Sequence, residues 1–135
     1  MGKYLDYDGV KYFWQKALAK FAPLTSLNWT YVNSFTTTAK QITIGDCHEV
    51  MVVASMWNNA SKTSMIMPPS EFAASTWYKV GGAYRNSSTN MDAEFECSAV
   101  SGIGTSSAKV TLKISAAYVN GGDRSSTSTF KVYTR

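Results

Sequence analysis

From Ala108 to Val119 the side chains change character at every step. Val110, Leu112, Ile114, Ala116 and Tyr118 alternate with Lys109, Thr111, Lys113, Ser115 and Ala117. A period of two belongs to a strand, whose successive side chains point to opposite faces, so the first set is expected to enter a core and the second to meet solvent. The same pattern recurs nearby. Ala93 to Val100 sets Ala93, Phe95, Cys97 and Ala99 against Glu94, Glu96 and Ser98, and Ser128 to Thr134 turns Phe130 and Val132 inward. Glu49 to Trp57 is apolar on both faces and reads as a central strand, while Gln41 to Ile44, Thr63 to Met67 and Trp77 to Val80 are shorter candidates. Turn residues separate them: Gly45-Asp46, Asn58-Asn59, Pro68-Pro69, Gly81-Gly82, Gly102 to Ser107, and Asn120 to Asp123. Seven or eight short strands divided in this way predict an all-β fold, an antiparallel β-sandwich or jelly-roll-like domain.

Only the beginning of the chain breaks this rule. Between residues 8 and 22, Val10, Phe13, Trp14, Ala17, Leu18 and Phe21 recur at helical spacing, with Lys11, Gln15, Lys16 and Lys20 on the other face. Asp6 or Asp8 can accept from the free amides of the first turn, and Pro23 forbids continuation. The expected organisation is an amphipathic helix in residues 1–24, for assembly or attachment, followed by a sandwich in 25–135. At 135 residues one domain can bury a sizeable core.

Read as heptads, Tyr7, Val10, Trp14, Ala17, Phe21 and Leu24 fall at alternating spacings of three and four, the seam of a short coiled coil. So short a helix is marginal alone in water, so some surface must cover Phe13, Trp14, Leu18 and Phe21. Either the helix packs on its own sandwich, or copies of it associate or dock onto a partner. Burying each large side chain is worth roughly 1.5 to 3 kcal/mol, and association about a threefold axis would achieve it. A homotrimer is expected, with a dimer or monomer as the alternative.

Catalysis needs titratable groups brought together, and the chain has a single histidine. Cys47 beside His48 could make an activated nucleophile, but neighbouring strand residues diverge, and a structural role is expected. Glu94 and Glu96 share a strand face about 7 Å apart, a spacing open to glycosidase carboxylates, yet a solvated face paired with Lys109 or Lys113 is the expected reading. There is no G-x-S-x-G, P-loop or dinucleotide fingerprint and no metal-ligand spacing, so no enzyme, cofactor or metal is expected. The net charge of +4 is spread along the chain without a basic stripe, which gives nucleic-acid binding little support. Neither a secretory leader nor a run of roughly 18 apolar residues occurs, so cytoplasmic synthesis without membrane insertion is expected. Cys47 and Cys97 are accordingly expected as reduced, buried thiols, and the N-x-S/T triplets at Asn28, Asn59 and Asn86 as chance. Aromatic residues near turns, Trp57, Trp77, Tyr78 and Tyr84 with Arg85 close by, are the candidate ligand-binding side chains, since flat rings stack on sugars; the alternative is that they fill the core and its rim.

The segment Tyr4-Leu5-Asp6-Tyr7-Asp8-Gly9-Val10-Lys11-Tyr12-Phe13-Trp14-Gln15-Lys16 resembles the leading segment, Y-L-D-x-x-G-[LV]-x-x-[LF]-W-x-K, of tail, fibre and minor structural proteins of bacteriophages and prophages, especially those of gut Firmicutes. The ending Phe130-Lys131-Val132-Tyr133-Thr134-Arg135 looks like the C-terminal β modules of such fibre proteins. The resemblance implies a virion protein, typically trimeric, whose helix assembles or attaches to other virion proteins and whose β domain meets a host-surface glycan or protein. The chain has no shaft repeats, which suits a small tip or decoration protein better than a long fibre.

Overall fold

The structure, a computed structural model, describes residues 7–21, 28–56, 61–80 and 91–135, with helix side chains up to Ala17. The helix α1 spans Tyr7–Phe21, and Asp8 places a carboxylate in its first turn, where it favours the open amides. Asp6 and Pro23, the expected boundary residues, lie outside the described residues, as do the turn pairs Asn58-Asn59 and Gly81-Gly82.

Among the described residues nine strands follow: β1 (Thr30–Phe35), β2 (Lys40–Thr43), β3 (Val50–Met56), β4 (Ser61–Met67), β5 (Thr76–Val80), β6 (Met91–Ser101), β7 (Lys109–Val119), β8 (Gly122–Asp123) and β9 (Thr129–Thr134). They form two antiparallel sheets, one in the order β1-β9-β3-β4, the other in the order β2-β7-β6-β5 with β8 beside β7. The expected all-β sandwich behind a short helix is therefore present. The first strands alternate between sheets as in a jelly roll. The later strands instead form the hairpin pairs β3-β4, β5-β6 and β6-β7 within one sheet.

The core lies between the sheets and is built from one apolar set of each strand. At its centre Phe35 of β1 meets Phe95 of β6 at 5.7 Å and Phe130 of β9 at 5.6 Å, both edge to face. Val50, Val52, Ala54 and Met56 of β3 are buried on one face, while Met51 and Val53 remain partly covered on the other, as befits a strand between two neighbours. Pro68 and Pro69 stop β4 and open a single 3-10 turn ending at Glu71. Asn120 and Gly121 both take positive φ, 52° and 75°, as a type I′ hairpin between β7 and β8 requires.

Three irregularities alter the expected faces. The β6–β7 register slips at Ser115 on β7 and at Ser98 on β6, and the β1–β9 register slips at Val32. Each extra residue exchanges the inward and outward sets beyond it. Ala116 and Tyr118, expected inward, consequently lie on the outer side, and Ala117 and Val119 take their places in the core. Ala99, expected inward with Cys97, is exposed, and Val100 packs against the core instead. β1, which alternation did not predict, keeps Phe35 in the core and leaves Tyr31 outside.

β7 has more backbone than β2 can pair, and its remaining edge is satisfied piecemeal. β2 covers Lys109 to Leu112, and the Ile114 amide donates to the Thr36 carbonyl at 2.8 Å. The Ala117 amide donates to Ser125 Oγ at 3.0 Å, and β8 pairs with the end of the strand. An inner strand is thereby kept from presenting a raw edge.

Candidate functional site

The helix supplies the first candidate surface. Tyr7 is 82% exposed, Phe13 63% and Trp14 59%; Val10 is also exposed and Ala17 is half-buried. Within the isolated chain these side chains find little apolar cover. Phe13 and Trp14 touch edge to face at 6.5 Å, and Lys16 lies over the Tyr12 ring at 5.5 Å on the opposite side. The Leu18 and Phe21 side chains and Leu24 lie outside the described residues.

The aromatic candidates divide. Tyr78 points inward from β5: its ring stacks on Phe95 at 5.1 Å and meets Phe72 at 5.8 Å. Its hydroxyl donates to the Glu71 carbonyl and accepts from the Ala73 amide, each at 2.8 Å. It clamps the β4–β5 crossover and has no free ring face for a ligand, so it fills the rim of the core. Trp77, one residue earlier, faces the other way and is 56% exposed. Trp57, Tyr84 and Arg85 lie outside the described residues.

Around Trp77 the outer face of the five-stranded sheet is polar and already organised. Trp77 sits opposite Glu96, whose carboxylate holds Lys113 at 2.9 Å. Glu94 accepts from Ser115 Oγ at 3.0 Å, and Lys79 lies 3.6 Å from Asp92. The expected pairing of the glutamates with a lysine across strands is thus present for Glu96 and Lys113. Both carboxylates stand on the outer sheet face, each partly covered and engaged by a neighbour, with the Glu96 side chain only 17% exposed.

Tyr118 joins this face, although alternation along the sequence had placed it in the core. It lies opposite Asp92 and is 39% exposed. In Ala116-Ala117-Tyr118-Val119 both phases of the strand are apolar, so alternation carries no sign of the register shift that the bulge introduces at Ser115.

The other outer face differs. Across the four-stranded sheet, Tyr31, Tyr133, Met51 and Ile66 form one cross-strand row, with the two tyrosine rings 5.6 Å apart. At the end of that sheet Arg135 lies over the Trp29 ring at 4.5 Å and pairs with Glu49. A pocket of about 230 Å³ opens at the β1–β2 corner beside Ser34, Thr36, Thr38 and Lys40, where Lys40 Nζ donates to Asn33 Oδ1 at 2.8 Å.

Cys47 packs against the core and His48 is exposed, so the adjacent pair diverges. Burial, reinforced by Asp46, pushes the Cys47 thiol up, the opposite of an activated nucleophile. Cys97 is buried and its thiol is also pushed up by burial; Cys47 is only half-buried, short of the full burial expected for both, because it sits in a loop at the core's margin. Among the described residues no group of three or more His, Cys, Asp or Glu could hold a metal ion, and no helix is long and apolar enough to cross a membrane. Compared with known protein families, with curated proteins and with solved structures, the chain matches none.

Proposed function

We propose that this chain is a non-enzymatic structural protein of a bacteriophage or prophage virion, a tail or fibre-tip adhesin or decoration module that assembles as a homotrimer through α1. The observation that carries the reading is the open apolar face of α1, with Tyr7, Val10, Phe13 and Trp14 exposed in the very segment that resembles phage tail proteins. Surface of that kind marks a contact with another protein. Three helices about one axis cover one another, set three sandwiches side by side, and multiply a weak affinity for a host surface. No cofactor and no nucleic acid enter this reading. Its partners are copies of the chain, other virion proteins and a host-surface glycan or protein.

Light scattering tests the assembly. The intact chain should be trimeric, and a chain beginning at Thr25, or the full chain carrying Phe13→Glu and Trp14→Glu, monomeric. A monomeric intact chain, or variants that stay trimeric, would refute the role given to α1. The genetic context tests the origin: tail, baseplate or holin genes beside its own are expected.

The exposure of Trp77 on a polar sheet face favours one second reading, a carbohydrate-binding β-sandwich module without viral origin. Neighbouring polysaccharide-utilisation genes would decide for it.

A further inference from the structure

We infer that the outer face of the five-stranded sheet is a binding platform for a neutral oligosaccharide, with Trp77 and Tyr118 as stacking ends and Glu94, Glu96 and Lys113 as the hydrogen-bonding groups between them. The inference deepens the adhesin reading by naming the site and its ligand class.

The geometry comes from the pairing register. Trp77 lies opposite Glu96 on β6, and Tyr118 opposite Asp92, four residues further along the same strand. Two inter-strand steps and four residues of rise place the two aromatic positions about 16 Å apart on a diagonal, the span of roughly three pyranose rings in a row. The ground between them is occupied by Glu94, Glu96, Ser115 and Lys113. These side chains are already fixed by mutual contacts, Lys113 to Glu96 at 2.9 Å and Ser115 to Glu94 at 3.0 Å, so presenting their remaining lone pairs and protons to a ligand costs little further ordering. A sugar offers what this face can take: an apolar C–H side for a ring and a girdle of hydroxyls that both donate and accept.

The chemistry also selects against other ligands. On β5, β6 and β7 the outward charges are Lys79, Lys109 and Lys113 against Asp92, Glu94 and Glu96, three against three, so the face attracts neither a polyanion nor a polycation. Asp123 of β8, beside Tyr118, adds a fourth carboxylate that accepts from the amide and hydroxyl of Ser125, which leaves the face within one charge of balance. A protein partner would need an apolar centre, but among the described residues the sheet beside Trp77 carries the charged pairs Lys113–Glu96 and Lys79–Asp92. The face is an open sheet, which suits the interior of a glycan chain laid across it.

Affinity electrophoresis of the full chain through gels containing a soluble β-glucan, a mannan, a galactan or wall teichoic acid tests the platform. At least one neutral polysaccharide should retard the chain. Trp77→Ala and Tyr118→Ala should each weaken that retardation about tenfold, whereas Tyr31→Ala, on the other sheet's outer face, should leave it unchanged. Trp77→Phe, which keeps a ring, should lose less than Trp77→Ala, and Glu94→Ala should weaken binding without touching an aromatic; these two variants decide the matter if circular dichroism shows either alanine variant misfolded. Retardation by none of the neutral polymers, retardation by teichoic acid alone, or retardation indifferent to Trp77 and Tyr118 each overturns the inference. The platform and the adhesin reading fail separately. A trimer that adheres to host cells equally well with Trp77→Ala retains the adhesin and loses the platform, and a monomer retarded through Trp77 retains the platform and loses the trimer.

Discussion

Phe35 is the side chain on which both sheets close, and its removal should be the most damaging single truncation in β1. It is 1% exposed and meets Phe95 and Phe130 edge to face, one ring from each sheet. Truncating a buried phenylalanine costs about 3 to 5 kcal/mol, from lost transfer energy and the cavity left behind. The upper half of that range applies here, because the ring stands between two sheets held by their own hydrogen bonds and the gap cannot collapse. A domain of this size has a total stability on the order of 5 to 15 kcal/mol, so Phe35→Ala should move the urea midpoint far toward zero while leaving the slope unchanged. Tyr31→Ala is the internal control: it removes a ring from the same strand, but one that is exposed, and should cost less than about 1 kcal/mol beyond the contact with Tyr133. A loss below about 1.5 kcal/mol for Phe35→Ala, or an equal loss for Tyr31→Ala, would refute the assignment of β1 to the core.

Other consequences can be measured in the same way. Ser125→Ala should destabilise by about 1 to 3 kcal/mol, since Ser125 Oγ is the partner of the Ala117 amide on a buried stretch of β7. Ser125 also holds the Asp123 carboxyl below its usual range, through its hydroxyl first and its amide second. A depressed carboxyl contributes stability above its unfolded pKa and loses it as pH falls through the folded value, so the gap between wild type and Ser125→Ala should narrow in acid; a gap independent of pH would count against this contact. Denatured chain should titrate two free thiols, and in the folded chain Cys47 should label before Cys97, both faster as pH rises; Cys97 reacting first would contradict its burial. Because burial raises the Cys97 thiol, its contribution to stability is complete below the ordinary thiol range and declines as pH climbs above it. Glu49→Gln should cost no more than about 1 kcal/mol, because the pair with Arg135 is partly solvated and Arg135 keeps its place over Trp29.

What could be read from the sequence was set by how cleanly each strand alternates. β9 and the first half of β7 alternate without interruption, and their inward residues, Phe130, Val132, Val110, Leu112 and Ile114, are all in the core. β3, apolar on both faces, lies between two neighbours as such a run should. β1 left no periodic trace. In Thr30-Tyr31-Val32-Asn33-Ser34-Phe35 the extra residue at Val32 sets Tyr31 and Phe35 on opposite sides of the sheet, although four residues apart they would share a face in a regular strand. The pairing of the sheets was likewise illegible, because it depends on contacts between residues as distant as Arg135 and Glu49, which no local pattern encodes.

The candidate sites divide by the same physics. The apolar stripe of α1 was legible because helical spacing is a strictly local property, whereas Trp77 and Tyr78 stood open between ligand binding and the core until β5 turned the first outward and the second onto Phe95. Nor was Tyr118 legible. Its side is decided by one bulge residue, Ser115, and nothing in Ile114-Ser115-Ala116-Ala117-Tyr118 distinguishes a strand that keeps its phase from one that loses it. The bulge has two effects at once. It delivers Ala117 and Val119 to the core, turns Tyr118 out opposite Asp92, and brings the Ser115 hydroxyl to Glu94. A regular strand would bury the tyrosine's polar hydroxyl and expose Val119, so the bulge is the arrangement that satisfies both side chains, and an aromatic ring on the outer face is its consequence.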